Sequence, residues 1–337
     1  METMDSAVFV QTNDATSNQV VMFKRDQSGG LLPIGRYPTG GRGTGSPHLP
    51  SQGSVVAAEG RLFVTNAGSD DLSIFAIDAS GLEFIDRTPA GTSPTSVAVR
   101  GDLVYVLGTG RITGFRLGAE GVLSPIEGSE RSLSAPEADG AQIAFTPNGD
   151  AVVVTERVSD AISVYGVGAG GLLNDPSVVP SSGATPYGFD FRADGILVVT
   201  EAFGGQVGAA AASSYRLNGS LVSVSPSVKN SRSEVCWAAV SKDGRFAYVT
   251  NFGDNTISSY RVGADGTIEL LDPVAASTRS GERGLRDEAI TADGRHLFAL
   301  DADAGTIYGW TIGADGALTP VGTAGGLPLT AAGLATL

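Results

Sequence analysis

An all-β chain folded as a seven-bladed β-propeller, with four-stranded antiparallel blades, is predicted by three observations. The first is a repeat. Six segments carry a short apolar strand, a small or acidic residue, a Gly/Asn/Asp turn and a second apolar strand. They are FVTNAGSDDLSIF (63–75), YVLGTGRITGF (105–115), VVTERVSDAISVY (153–165), VVTEAFGGQVGAAAASSY (198–215), YVTNFGDNTISSY (248–260) and FALDADAGTIYGW (298–310). A looser seventh copy, FVQTNDATSNQVVMF, spans 9–23. The second is the period: copies anchored at 64, 106, 154, 199, 249 and 299 are spaced by 42, 48, 45, 50 and 50 residues. Strand-and-turn repeats of that length are propeller blades. The third is turn chemistry. PNGD, KDGR, ADGR and GADG lie between alternating apolar runs in a chain with 47 glycines, and such turns signal hairpins.

The blades follow in order. Blade 1 covers about 6–38 and starts directly at its second strand, SAVFVQT, so it lacks an inner strand. Blades 2 to 5 cover about 54–89, 95–130, 141–180 and 187–228. Blade 6, about 236–276, reads CWAAVS, KDGR, FAYVT, TISSYRV, GADG and TIELLD; blade 7, about 287–323, repeats that order. The apolar tail LTAAGLATL (329–337) is left over. It is expected to supply the missing inner strand of blade 1 and close the ring, leaving no unpaired inner edge. All 337 residues then form one domain.

Composition narrows the partners. A net charge of −14 argues against nucleic acid, which requires a basic face. The single cysteine, Cys236, excludes an internal disulfide. No apolar run approaches the roughly 18 residues of a membrane span. METMDSAVF has no basic, apolar leader, so the expectation is a cytoplasmic protein or a mature form whose leader has been removed. A monomer without cofactor or metal is expected, with a small, anionic molecule as its ligand.

Propeller topology sorts the loops. Those entering inner strands, and those joining second to third strands, share one face, which carries the expected site: 38–54, 66–71, 130–142, 156–160, 181–188, 201–212, 229–237, 251–255, 277–288 and 301–305. His48, in SPHLPSQGS, lies there and reads either as an acid/base group or as an ordinary loop residue. Glu156 and Glu201 hold equivalent places in adjacent blades. They read either as a carboxylate pair projected toward one cleft or as structural acids accepting hydrogen bonds. Asn66 and Asn251 hold the same place in blades 2 and 6 and suit ligand orientation. STRSGERGLRDEA (277–289) gathers Arg279, Arg283 and Arg286 among Glu282, Asp287 and Glu288. That loop reads either as a clamp for carboxylate or phosphate or as a salt-bridge network. Tyr187 and Trp237 enter inner strands as an apolar wall or as core, while Gln52, Gln142, Arg283 and Asp287 are further binding candidates. Cys236 reads as a small buried residue. A metal site built from Glu156, Glu201 and Asn251 has no support from spacing.

The segments SQGSV, VTNAGSDDLSIF, PTSVAV, VTE, PYGFDF and CWAAVSKDGRFAYVTN, in that order, resemble the lactonase-type seven-bladed propellers. That family includes bacterial 6-phosphogluconolactonases and fungal carboxymuconate-lactonizing enzymes. The resemblance implies a cleft on the expected face, no obligatory metal, and acid/base residues drawn from His, Glu and Arg. His48, Glu156, Glu201 and Arg286 are the position-compatible set. The preferred reading is an enzyme that opens or closes a lactone on a small carboxylated or phosphorylated metabolite. The alternative is a non-enzymatic propeller that binds a small molecule or a protein loop on the same face.

Overall fold

The computed structural model describes residues 6–47, 49–279 and 282–337. Seven sheets follow one another around a ring. Blade 6 shows the plan: inner strand Val235–Val240, second strand Phe246–Asn251, third strand Thr256–Val262 and outer strand Ile268–Ser277, each antiparallel to the next. Blade 3 departs at its edge, where the short strand Leu123–Pro125 is extended by Arg131–Ser132 on the same third strand. Three single 3-10 turns are the only helical segments among the described residues.

Seven apolar clusters fill the seven interfaces between neighbouring blades. Each second strand is buried on both faces, which is why it reads as an unbroken apolar run. In Ile196–Glu201 of blade 5, Ile196 and Val198 pack toward blade 6, while Leu197 and Val199 pack toward blade 4. Between second and third strands the chain turns through left-handed positions at Asp70, Asp160, Asn255 and Gly305. Asn, Asp and Gly tolerate that conformation, which accounts for the repeated turn chemistry.

Ala332–Thr336 completes blade 1, with Phe9 opposite Ala335 and Val10 opposite Leu334. The ring is therefore closed by pairing the two ends of the chain.

A feature with no compositional signature positions the site. The inner strands of blades 4 to 7 all break register near their start, between Gly140 and Gln142, Pro186 and Phe189, Val235 and Ala238, and Leu285 and Glu288. Such irregularities bend a strand and re-aim its side chains. Tyr187, Cys236, Trp237, Arg286 and Asp287 all lie within them.

Candidate functional site

The residues that end the second strands are structural clamps. Glu156 is fully buried. Its carboxylate accepts from Ser163 Oγ at 2.6 Å, Ser159 Oγ at 2.9 Å, the Ser134 N–H at 3.2 Å and the Ser134 hydroxyl. Glu201, also fully buried, accepts from the Gly183 N–H at 2.8 Å, Ser227 Oγ at 2.6 Å and the Ser213 hydroxyl. Burial pushes its carboxyl upward, and these bonds oppose the shift. Asn66 bridges Thr39 and Ser73, and Asn251 bridges Asn230 and Ser258. In blade 7, Asp301 takes the Arg279 guanidinium at 2.9 Å on both oxygens. In each case one side chain ties the crossover from the previous blade to its own blade. The expectation that Glu156 and Glu201 meet in one cleft, with Asn66 and Asn251 orienting a ligand beside them, is not what the geometry shows. Their polar atoms are saturated, and none of them lines the cavities described below.

The two glutamines are braces. Gln52 reaches across the channel from the loop entering blade 2, donating to Ala238 O of blade 6 at 3.1 Å and accepting the Ala238 N–H at 3.3 Å. Its own carbonyl accepts from Ser96 Oγ at 2.6 Å, and its N–H donates to Ala141 O at 3.1 Å. Gln142 pairs both ends of its amide with the backbone of Phe189. Gln52 therefore divides the central channel into two ends.

On the expected face, the re-aimed residues converge. Arg286 is 4% exposed, lies 4.8 Å over the Phe252 ring and donates from Nη2 to Asp303 at 3.1 Å. Its Nε and Nη1 have no hydrogen-bond partner. Asp287 is 3% exposed; one carboxylate oxygen accepts the Gly333 N–H at 2.9 Å and the other has no partner. Burial pushes this carboxyl up to about 6, against the opposing pull of Gly333 and Arg286. Arg283 pairs with Glu234 and stacks 5.0 Å over the same Phe252 ring. The Tyr187 and Trp237 rings are 5.0 Å apart, and Trp237 Nε1 is buried without an acceptor. Arg157 donates to the Tyr187 hydroxyl at 2.9 Å and to Asp139 at 2.6 Å. The charges of Arg286, Asp287, Glu234 and Arg157 all reach the Cys236 thiol, which burial pushes up to about 12. Cys236 is thus an inert wall, not a nucleophile. Two cavities flank the cluster. One of about 370 Å³ is lined by Thr185, Tyr187, Glu234, Cys236 and Phe252, and one of about 320 Å³ by Ser46, Leu49, Asp139 and Arg157. The Arg157–Tyr187 pair stands between them.

Comparison with known proteins bears on the family and the fold. A family model described as "Lactonase, 7-bladed beta-propeller" matches residues 112–207 and 199–327. The chain belongs to this family. Among solved structures, this lactonase-type propeller is similar to a Lactobacillus plantarum protein, with 20% identity, a TM-score of 0.80 and 99% coverage of both chains. It is also similar to a candidate 6-phosphogluconolactonase from Bacteroides uniformis, at 17% identity and TM-score 0.78, covering 99% of this chain and 100% of the other. The periplasmic gluconolactonase of Pseudomonas aeruginosa matches at 19% identity and TM-score 0.77, covering 98% of this chain and 99% of that one. These likenesses are of fold. No curated protein matches the sequence.

Of the sequence candidates, Tyr187, Trp237, Arg283, Arg286 and Asp287 gather around Cys236 and Phe252; Tyr187 lines the 370 Å³ cavity, and Trp237 is fully buried in the core between blades 5 and 6. His48 lies outside the described residues. Arg157 and Glu234 were not foreseen. Arg157 directly follows Glu156, and its position in a loop on the expected face was the available signal. No cluster of three or more potential metal ligands occurs among the described residues, nor any helix long and apolar enough to cross a membrane.

Proposed function

We propose that the protein opens the lactone ring of a small carboxylated or phosphorylated metabolite in this cleft, or closes it in the reverse direction. The observation that carries the proposal is the buried Arg286–Asp287 step, with two free N–H donors beside a free carboxylate oxygen. A perturbed acid beside a cation with unpaired donors, packed behind the Cys236 and Phe252 wall of the 370 Å³ cavity, is the feature that supports a catalytic reading.

Ionised Asp287 removes a proton from water, and the hydroxide attacks the lactone carbonyl carbon. The resulting oxyanion accepts the Arg286 Nε and Nη1 protons, an oxyanion hole in effect. When the intermediate collapses, the ring C–O bond breaks and the alkoxide takes the proton back from Asp287. Arg157, whose Nε is also unpaired, and Arg283 are placed to hold the anionic substituent. Tyr187 and Trp237 form the wall against the sugar or dienyl body. No step in this scheme requires a metal.

Ring opening of sugar lactones, phosphorylated sugar lactones and muconolactones, followed by proton release, tests the reading. Turnover on at least one anionic lactone is expected, with its neutral analogue slower. If well-folded protein turns over none of them yet binds one by calorimetry, the enzymatic reading fails and the binding module replaces it. Glu156→Gln separates clamp from catalyst. It is expected to destabilise the fold by about 1–2 kcal/mol while leaving kcat within about twofold, measured by thermal melting and steady-state kinetics.

A further inference from the structure

The opposite end of the channel holds a cavity of about 730 Å³, within the range of about 300–1,000 Å³ usual for small-molecule sites. Its walls come from the inner strands and first hairpin turns of blades 2 to 6. The lining is mixed, with the part-exposed apolar side chains of Val56, Val99, Phe145 and Phe191 beside the polar groups of Gln142, Thr146 and Ser241. Gly53 and Gln142 lie at its inner end, next to the Gln52 brace that separates it from the cleft above.

The rim is cationic in a chain of net charge −14. Lys242, one of only three lysines, projects from the blade 6 turn, and Arg100 from the blade 3 turn. Both are exposed, and neither has a salt bridge or a side-chain hydrogen bond among the described residues. The acids nearby are already engaged. Asp243 accepts from Ser241 and pairs with Arg245, and Arg192 is held by Asp194. Asp190 accepts the Val240 and Phe191 N–H groups, both at 2.8 Å. Burial raises the Asp190 carboxyl, against the opposing pull of its two N–H donors and of Lys242, and burial together with Asp190 raises Glu288 well above the usual range.

The geometry points to a second ligand site here, independent of the lactone cleft, for a small amphiphilic anion: an apolar body against Val56, Val99, Phe145 and Phe191 and a carboxylate or phosphate at the Lys242 and Arg100 rim. A cavity with apolar side chains along one part and charged groups at its mouth selects for that shape, and cations at the mouth favour the anionic end.

Calorimetric titration with 2-naphthoate tests this, with acetate and 2-naphthol as its two halves. Naphthoate is expected to bind the native protein more tightly than either half. Binding should persist in Arg286→Met, which disables the upper cleft. It should weaken at least about tenfold in the Lys242→Ala/Arg100→Ala double variant, equivalent to about 1.4 kcal/mol. Ala193→Trp, on an exposed turn at the mouth, should block it sterically. All three positions of the latter variants are exposed, and circular dichroism confirms folding. No binding up to millimolar naphthoate, binding abolished by Arg286→Met, or binding unchanged in either lower-mouth variant overturns the assignment.

Discussion

Asp287→Asn is expected to reduce lactone turnover by about 10²–10⁴-fold, the usual contribution of a positioned acid/base, while making the protein more stable above pH 6. The two effects have one cause. Asp287 is buried, and its carboxyl titrates near 6 instead of 3.8. A raised carboxyl means the fold prefers the protonated form. The associated stability is fully present below pH 3.8 and declines as pH rises toward 6, because the unfolded chain releases its proton first. Above pH 6 the ionised carboxylate costs about 3 kcal/mol, roughly two pH units at 1.4 kcal/mol each. Asparagine keeps the neutral charge at every pH and can still accept the Gly333 N–H. The melting curves of wild type and variant should therefore coincide near pH 4 and separate by pH 8. Wild-type kcat/KM should rise as pH passes through about 6, since the base must be ionised. A structural acid of the Glu156 kind gives the opposite result, a loss of stability with activity kept. Turnover retained in Asp287→Asn, or a variant less stable at pH 8, sinks the assignment. Arg286→Met should lower kcat at least as much as it raises KM, because in the proposed step its unpaired N–H groups donate to charge that develops during reaction.

Why Asp287 was only a binding candidate in the sequence, while Glu156 and Glu201 stood as catalytic, has a physical answer. The strands were legible because both faces of each are buried, which writes continuous apolar runs between Gly and Asp turns. Ring closure was legible because blade 1 had no inner strand and the tail had no partner. A glutamate at a strand end, by contrast, has the same sequence whether it faces a ligand or a set of hydroxyls. The discriminating signal lay elsewhere. Ser73, Ser163 and Ser258 each follow Asn66, Glu156 and Asn251 by seven residues, and each bonds that side chain. A hydroxyl recurring at one offset in three blades marks a repeated clamp, not a site. The register breaks in the inner strands left no such trace, since an extra residue in an apolar strand changes neither composition nor period. They place Arg286 against Phe252 and Asp287 against Gly333, and so the proposed site lies where the repeat is locally broken.

Deleting residues 329–337 is expected to abolish cooperative folding, not merely to trim an end. The segment contributes Leu334, Ala331 and Ala335 to the two clusters flanking blade 1. It also pairs along Ala7–Gln11, and Leu337 N–H and Thr330 Oγ1 add bonds to Ala7 O and Thr12 O. One buried leucine is worth about 2 kcal/mol and each ladder bond about 1, so the sum approaches the 5–15 kcal/mol by which a typical domain is stable. Loss would also bare the Ala7–Gln11 edge, an invitation to intermolecular pairing, and remove the Gly333 N–H from Asp287. Relocation distinguishes a closing strand from a sticky tail. Because Leu337 donates to Ala7 O, residues 329–337 can be joined through a short hairpin to Ser6, with the chain then ending at Pro328. That permutant should recover a cooperative melt and any turnover, whereas the simple deletion should elute as aggregate. A deletion that melts like the full chain would mean the ring holds through its other five interfaces, and the closing strand would then be dispensable for both fold and site.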